Sequence, residues 1–180
     1  MSALIPVTSV DDILPQYRDT PIGRLLEYHN LDRPFDTYQS AQILIGMCMD
    51  NRAQLRIPNL FAFILRTGGA NLRYSKFHVS YAVGVGRVEA IALIGHTSCG
   101  MAGLTQRREA FVQGMVEHAG WDAQHAEDHF MNYAPLYEID DPVDFVVDEA
   151  ARMRRRYPRL PIAPLLYKIE DHRLYQIDDR

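Results

Sequence analysis

Two stretches decide how this chain folds: Ala41-Gln-Ile-Leu-Ile-Gly-Met-Cys-Met-Asp-Asn-Arg52 and Glu89-Ala-Ile-Ala-Leu-Ile-Gly-His-Thr-Ser-Cys-Gly100. Each is a short, nearly continuous apolar run that ends in polar residues able to bind a metal. Runs of this length without apolar/polar alternation read as parallel strands buried on both faces. Ligands in open α/β sheets gather beyond the C-terminal ends of such strands. Cys48 and His96 are therefore expected at one place in space despite their separation in sequence.

Working outward, Leu60 to Leu65 is a third apolar run, closed by the turn-forming Thr67-Gly-Gly-Ala-Asn71. Lys76 to Val85 carries Phe77, Val79, Tyr81, Ala82 and Val85 at helical spacing. The order strand, strand, helix, strand predicts an α/β fold with a mostly parallel central sheet flanked by helices. Residues 9–31 read as an amphipathic helix with capping-box spacing at Ser9 and Asp12, broken by Pro15 and Pro21. The second half is helical in pattern over 105–119 and 122–133, and again from the Asp141-Pro142 start signal to Arg156. Arg152, Arg154, Arg155 and Arg156 suit the C-terminal end of that last helix, where cations offset the dipole, better than they suit a nucleic-acid site. The tail, 162–169 and 173–177, reads as a pair of strands, with Pro164 marking the first as an edge. One domain over residues 1–180 is expected, with a helical arm at 1–35 and the site core at 41–103.

Composition narrows the class. The chain has 180 residues, 47% hydrophobic and 23% charged, with a net charge of -4, so nothing asks for nucleic acid or an anionic membrane. The N-terminus lacks a basic, apolar leader, and no apolar run approaches the ~20 residues of a membrane helix. A cytoplasmic setting is expected, where the two cysteines are metal ligands or buried hydrophobes before they are a disulfide.

Two thiolates, an imidazole and a carboxylate complete a tetrahedral ligand set for Zn²⁺. His96 and Cys99 stand at i and i+3, bracketed by Gly95 and Gly100, a spacing that lets both side chains reach one ion. Alone, such a pair reads as a satisfied histidine and a small buried thiol before it reads as a metal pair; beside Cys48-x-Asp50-x-Arg52 it reads as a metal site. Asp50 has two mutually exclusive roles, fourth metal ligand or acceptor for a water, and Arg52 can hold it off the metal as a bidentate partner.

These residues resemble the β-class carbonic anhydrases, whose signatures are Cys-x-Asp-x-Arg and His-x-x-Cys. The likeness extends to Arg66-Thr-Gly-Gly-Ala-Asn71, Tyr81-Ala-Val83, Gly95-His-Thr97 and Cys99-Gly-Met101, with an echo in Leu166-Tyr-Lys and Arg173-Leu. The resemblance implies that Cys48, His96 and Cys99 are zinc ligands. It makes Asp50 the interchangeable fourth ligand and catalytic carboxylate, with Arg52 as its partner. It also implies reversible hydration of CO2 to bicarbonate by a zinc-bound hydroxide, in a homodimer or an assembly of dimers. Phe61, Phe63 and Leu65 are candidates for that interface or for the core. A COS or CS2 hydrolase and a catalytically silent zinc-binding or partner-binding protein are the competing readings.

Two other motifs carry less. His125-Ala-Glu-Asp-His129 has the i, i+4 spacing of a helical metal pair but lacks the His-Glu-x-x-His glutamate, so it reads as a solvated polar face. Gly84-Val-Gly86 precedes a strand, the reverse of a dinucleotide fingerprint.

Overall fold

The computed structural model describes residues 3–179; Met1 and Ser2, which open the leader reading, lie outside them. Six strands form one sheet in the order β1-β6-β5-β4-β2-β3. They are β1 (Ala3–Pro6), β2 (Ile43–Cys48), β3 (Ala62–Thr67), β4 (Ala90–His96), β5 (Ile162–Lys168) and β6 (Arg173–Asp178). The β2–β3, β2–β4 and β4–β5 pairs are parallel, and β5–β6 and β1–β6 are antiparallel. The helices are α1 (Pro21–Asn30), α2 (Lys76–Gly84), α3 (Arg108–Ala119), α4 (Ala123–Tyr137) and α5 (Pro142–Arg156). No helix among the described residues is long and apolar enough to cross a membrane.

Burial follows from the period-2 geometry of the strands. Ile43, Ile45 and Met47 of β2 join Ala92 and Ile94 of β4 in one core with Ile22, Leu25 and Leu26 of α1. Leu44, Ile91 and Leu93 point the other way and pack with Val79 and Ala82 of α2 and Val146, Ala150 and Met153 of α5. Because both faces are covered, every residue of β2 and β4 is buried, which explains the uninterrupted apolar runs. Truncating one of these side chains, as in Leu25→Ala, is expected to cost about 2–5 kcal/mol.

Some local expectations change. β1 is a strand inside the segment read as a helical arm, and the Ser9–Asp12 capping box closes only a single 3-10 turn at Val10–Asp12. The helix proper starts at Thr20, whose hydroxyl accepts from Ile22 N, with Pro21 in the first turn where a missing N–H costs nothing. The third apolar run is paired two residues later than its sequence suggests, because Leu60 turns through φ 63° before β3 begins.

Pro164 does not mark an edge: β5 lies between β4 and β6. Ile91 and Thr97 N–H groups donate to the Pro161 and Tyr167 carbonyls, so odd-numbered residues of β5 bond toward β4 and Pro164 faces β6. Pairing with β6 begins only at Leu165↔Gln176, so the missing N–H falls where the ladder has ended. Of the arginines ending α5, Arg155 and Arg156 are exposed, while Arg152 and Arg154 are half-buried. Arg152 binds the fully buried Glu149, and Arg154 pairs with Asp179 at 2.5 Å while donating to the Ile162 carbonyl.

Candidate metal centre

Cys48 ends β2 and His96 ends β4, and these strands are parallel neighbours. From β2 the chain passes to β3 on one side, and from β4 it goes on to β5 on the other. The crevice at this reversal is where α/β sheets collect ligands. Cys99 follows on a tight turn that Ser98 makes possible with φ 56°. Gly95 lets α5 approach: a Cβ there would lie 2.8 Å from the Pro142 carbonyl oxygen and 3.2 Å from Val146. Gly100 needs no such account, since a Cβ would meet nothing within 4 Å.

The three candidate ligands are buried, and one donor atom from each lies within 4.8 Å of the others. The Cys48 and Cys99 sulfurs are 3.9 Å apart, both free thiols. His96 Nδ1 is 2.9 Å from the Thr97 carbonyl, an arrangement that fixes the proton on Nδ1 and leaves a lone pair on Nε2. That Nε2 is buried and has no hydrogen-bond partner. A buried polar atom left unpaired costs about 1–3 kcal/mol. Two soft sulfurs and an unpartnered imidazole nitrogen are the donor set that Zn²⁺ prefers, so the residues present fit a zinc ion.

The electrostatics agree. The hydrogen bond from Cys99 holds the Cys48 thiol down at about 4, against the opposing effect of burial, and the same contact pushes Cys99 up. One thiolate is thus favoured even before a cation arrives. Burial pulls the His96 pKa down, but the Cys48 sulfur, the Thr97 carbonyl and Asp50 together raise it.

Asp50 lies beside this cluster and is held by Arg52. Its Oδ1 accepts from Arg52 N and Nε, both at 3.0 Å, and its Oδ2 accepts from an Arg52 terminal nitrogen at 2.6 Å. That grip lowers its pKa to about 2. Oδ2 remains 4.0 Å from His96 Nε2. The same terminal nitrogen of Arg52 donates to the Ser98 carbonyl at 3.0 Å, tying the loop after β2 to the turn after β4. All five residues singled out in the sequence therefore meet at one place.

No protein-family profile matches the chain, and no curated protein sequence matches it. Solved structures do match. The carbonic anhydrase from Glaciozyma antarctica superposes with a TM-score of 0.60 at 19% identity, over 76% of this chain and 83% of that one. The β-carbonic anhydrase isoform I from the protozoan Trichomonas vaginalis gives 0.60 at 20% identity, over 80% and 87%. The fold is that of the β-carbonic anhydrases. It is shared by a carbon disulfide hydrolase in its apo form, with a TM-score of 0.53 at 18% identity over 78% of this chain and 80% of that one.

In this β-carbonic-anhydrase fold the crevice with the candidate ligands adjoins, through Met101, a cavity of about 520 Å³. Met49, Arg66, Thr67, Gly68 and Met101 line its inner side, and Phe111, Phe130, Tyr133 and Tyr137 of the α3–α4 pair form its outer wall. Sequence reasoning did not find this wall. Its only trace is the spacing of Phe130, Tyr133 and Tyr137 on one helix face. His129 also lines the cavity and stacks on Phe111, with ring centroids 6.2 Å apart, so this part of the histidine stretch is not a solvated face. Among the described residues it belongs to no cluster of three or more candidate metal ligands.

Proposed function

We propose that the chain catalyses the reversible hydration of CO2 to bicarbonate at a zinc centre held by Cys48, His96 and Cys99. The observation that carries this reading is the buried triad, with donor atoms within 4.8 Å of one another and an unpartnered imidazole nitrogen among them. Zinc bound there supplies Lewis-acid activation of water. In the net reaction the oxygen of water adds to the carbon of CO2, and one proton leaves to solvent.

Asp50 orients the water. With a pKa of about 2 it stays ionised through the neutral range, so it accepts a hydrogen bond and stores no proton. Arg52 occupies both carboxylate oxygens and keeps Asp50 from closing on the triad. The adjoining cavity offers mostly apolar walls, which suit a neutral, linear substrate and disfavour a hydrated anion. Stopped-flow CO2 hydration with metal analysis tests the reading: one zinc per chain with turnover supports it, and one zinc with no hydration at any pH ends it.

A second reading has one observation in its favour. The cavity carries two thioether side chains, Met49 and Met101, beside the crevice, and these polarisable groups suit CS2 or COS in place of CO2. Turnover of CS2 or COS without CO2 hydration would select it. Zinc binding without turnover of any of the three substrates is the outcome for a silent zinc-binding or partner-binding protein.

We also infer a homodimer or an assembly of dimers. β3 is an open sheet edge on which Phe63 and Ile64 are 40% and 42% exposed, next to Phe77 of α2 at 76%. Contiguous exposed apolar side chains of this kind mark association surfaces. Phe61, by contrast, is fully buried against Tyr28 and Tyr38 and belongs to the core. Sedimentation of the wild type and of Phe77→Glu checks this, with a dimer expected for the first and a monomer for the second. Two unpaired thiols 3.9 Å apart fit a reducing compartment such as the cytoplasm.

A further inference from the structure

Arg66 stands on β3, in register with Met47 of β2. Its guanidinium reaches across to the loop that follows β2. One terminal nitrogen donates to the carbonyls of Cys48 at 3.0 Å and Asp50 at 3.3 Å, and the other donates to the carbonyl of Ala53 at 2.9 Å. Three carbonyls within six residues are thus satisfied by one side chain. Backbone bonds give this loop little else: Met49 N donates to the Thr67 carbonyl at 2.9 Å, and Ala53 N to the Asp50 carbonyl at 3.3 Å. Among the described residues Arg66 makes no ion pair, so its donors serve the loop backbone.

We propose that Arg66 is a positioning residue, a clamp that fixes the backbone from Cys48 to Ala53 so that the Cys48 sulfur faces Cys99 and His96 while Asp50 faces Arg52. Its role rests on the zinc-hydration reading above and adds to it a residue at the edge of the adjoining cavity whose terminal nitrogens are directed to loop carbonyls. The chemistry explains the choice of arginine. A planar fork with five donors spans separated carbonyls, whereas a lysine ammonium is a point charge that satisfies fewer of them at once. A loop carrying both a ligand and an orienting carboxylate needs that rigidity, because small misplacements of reacting groups lower turnover steeply.

The test compares wild type, Arg66→Lys and Arg66→Met as full-length chains, with and without added zinc, by hydrogen exchange and by CO2-hydration kinetics. In Arg66→Met, amide exchange from Met49 to Ala53 is expected to rise about tenfold while β4 and β5 keep their protection. The kcat should fall about tenfold with KM nearly unchanged, and added guanidinium ion should restore part of it. Arg66→Lys should lie between the two; if Arg66→Met does not fold, Arg66→Lys carries the same comparison. Unchanged exchange in the loop overturns the clamp, and so does exchange that rises throughout the sheet, because that marks a general structural role. A localised rise in a chain that does not hydrate CO2 leaves the clamp standing and removes the functional reading instead.

Discussion

The two loops that build the site are held in different ways. The turn after β4 is fixed by short contacts to the neighbouring strand: Thr97 N donates to the Tyr167 carbonyl, and the Thr97 hydroxyl accepts from Ile169 N and donates to Glu170 at 2.8 Å. The loop after β2 is fixed by long side chains, the guanidinium groups of Arg52 and Arg66. Each loop starts with one bond that extends the sheet, Met49 N to the Thr67 carbonyl in the second, but beyond it the loop after β2 depends on two guanidinium side chains. His96 and Cys99 thus stand on the turn held to the neighbouring strand, and Asp50 on the loop held by guanidinium groups.

Substitutions at the ends of β2 and β4 should have the largest effect. Cys48→Ser replaces a soft ligand of the buried triad, and zinc analysis should show metal content falling from one per chain to a small fraction of that. Gly95→Val drives a side chain against the Pro142 carbonyl at the base of the turn after β4. Urea denaturation should show a loss of about 1–3 kcal/mol, as expected of overpacking. Arg52→Ala should show the opposite balance. Its ion pair is half-exposed and worth no more than about 1 kcal/mol in stability, yet CO2 hydration should fall by about tenfold as Asp50 loses its restraint.

Smaller effects sharpen the contrast. Thr97→Val removes the hydroxyl that anchors this turn, and should lower the melting temperature slightly with little change in kcat. Its pH dependence has a definite sign. The Thr97 hydroxyl lowers the pKa of Glu170 below the ordinary 4.5, so the stability from this contact is complete above that value and is lost as pH falls through the lowered one. The difference in melting temperature between wild type and Thr97→Val should therefore shrink in acid.

The difference between the loops also explains what the sequence reveals. Cys48, Asp50, Arg52, His96 and Cys99 are legible because each stands within five residues of the end of an apolar run, and two such runs make neighbouring parallel strands. The inward strands are legible for the same reason, as they are buried on both faces. Pro164 misleads because a proline in the interior of a sheet is permitted where its N side meets the end of a ladder, a matter of register that no local pattern encodes. β1 is missed because only β6, more than 160 residues away, makes it a strand. Arg66 is visible in the sequence, but its three carbonyl partners are set by β2–β3 pairing. The cavity wall on α3 and α4 is likewise assembled by tertiary packing.

If Cys48, His96 and Cys99 hold zinc as proposed, the loaded chain adds water to CO2. Oxygen-isotope exchange between labelled CO2 and water, followed by mass spectrometry on the zinc-loaded chain, measures that addition directly in both directions. Exchange well above the uncatalysed rate, and lost in Cys48→Ser, is the result expected here. A zinc-loaded wild-type chain that exchanges no faster than buffer would contradict it.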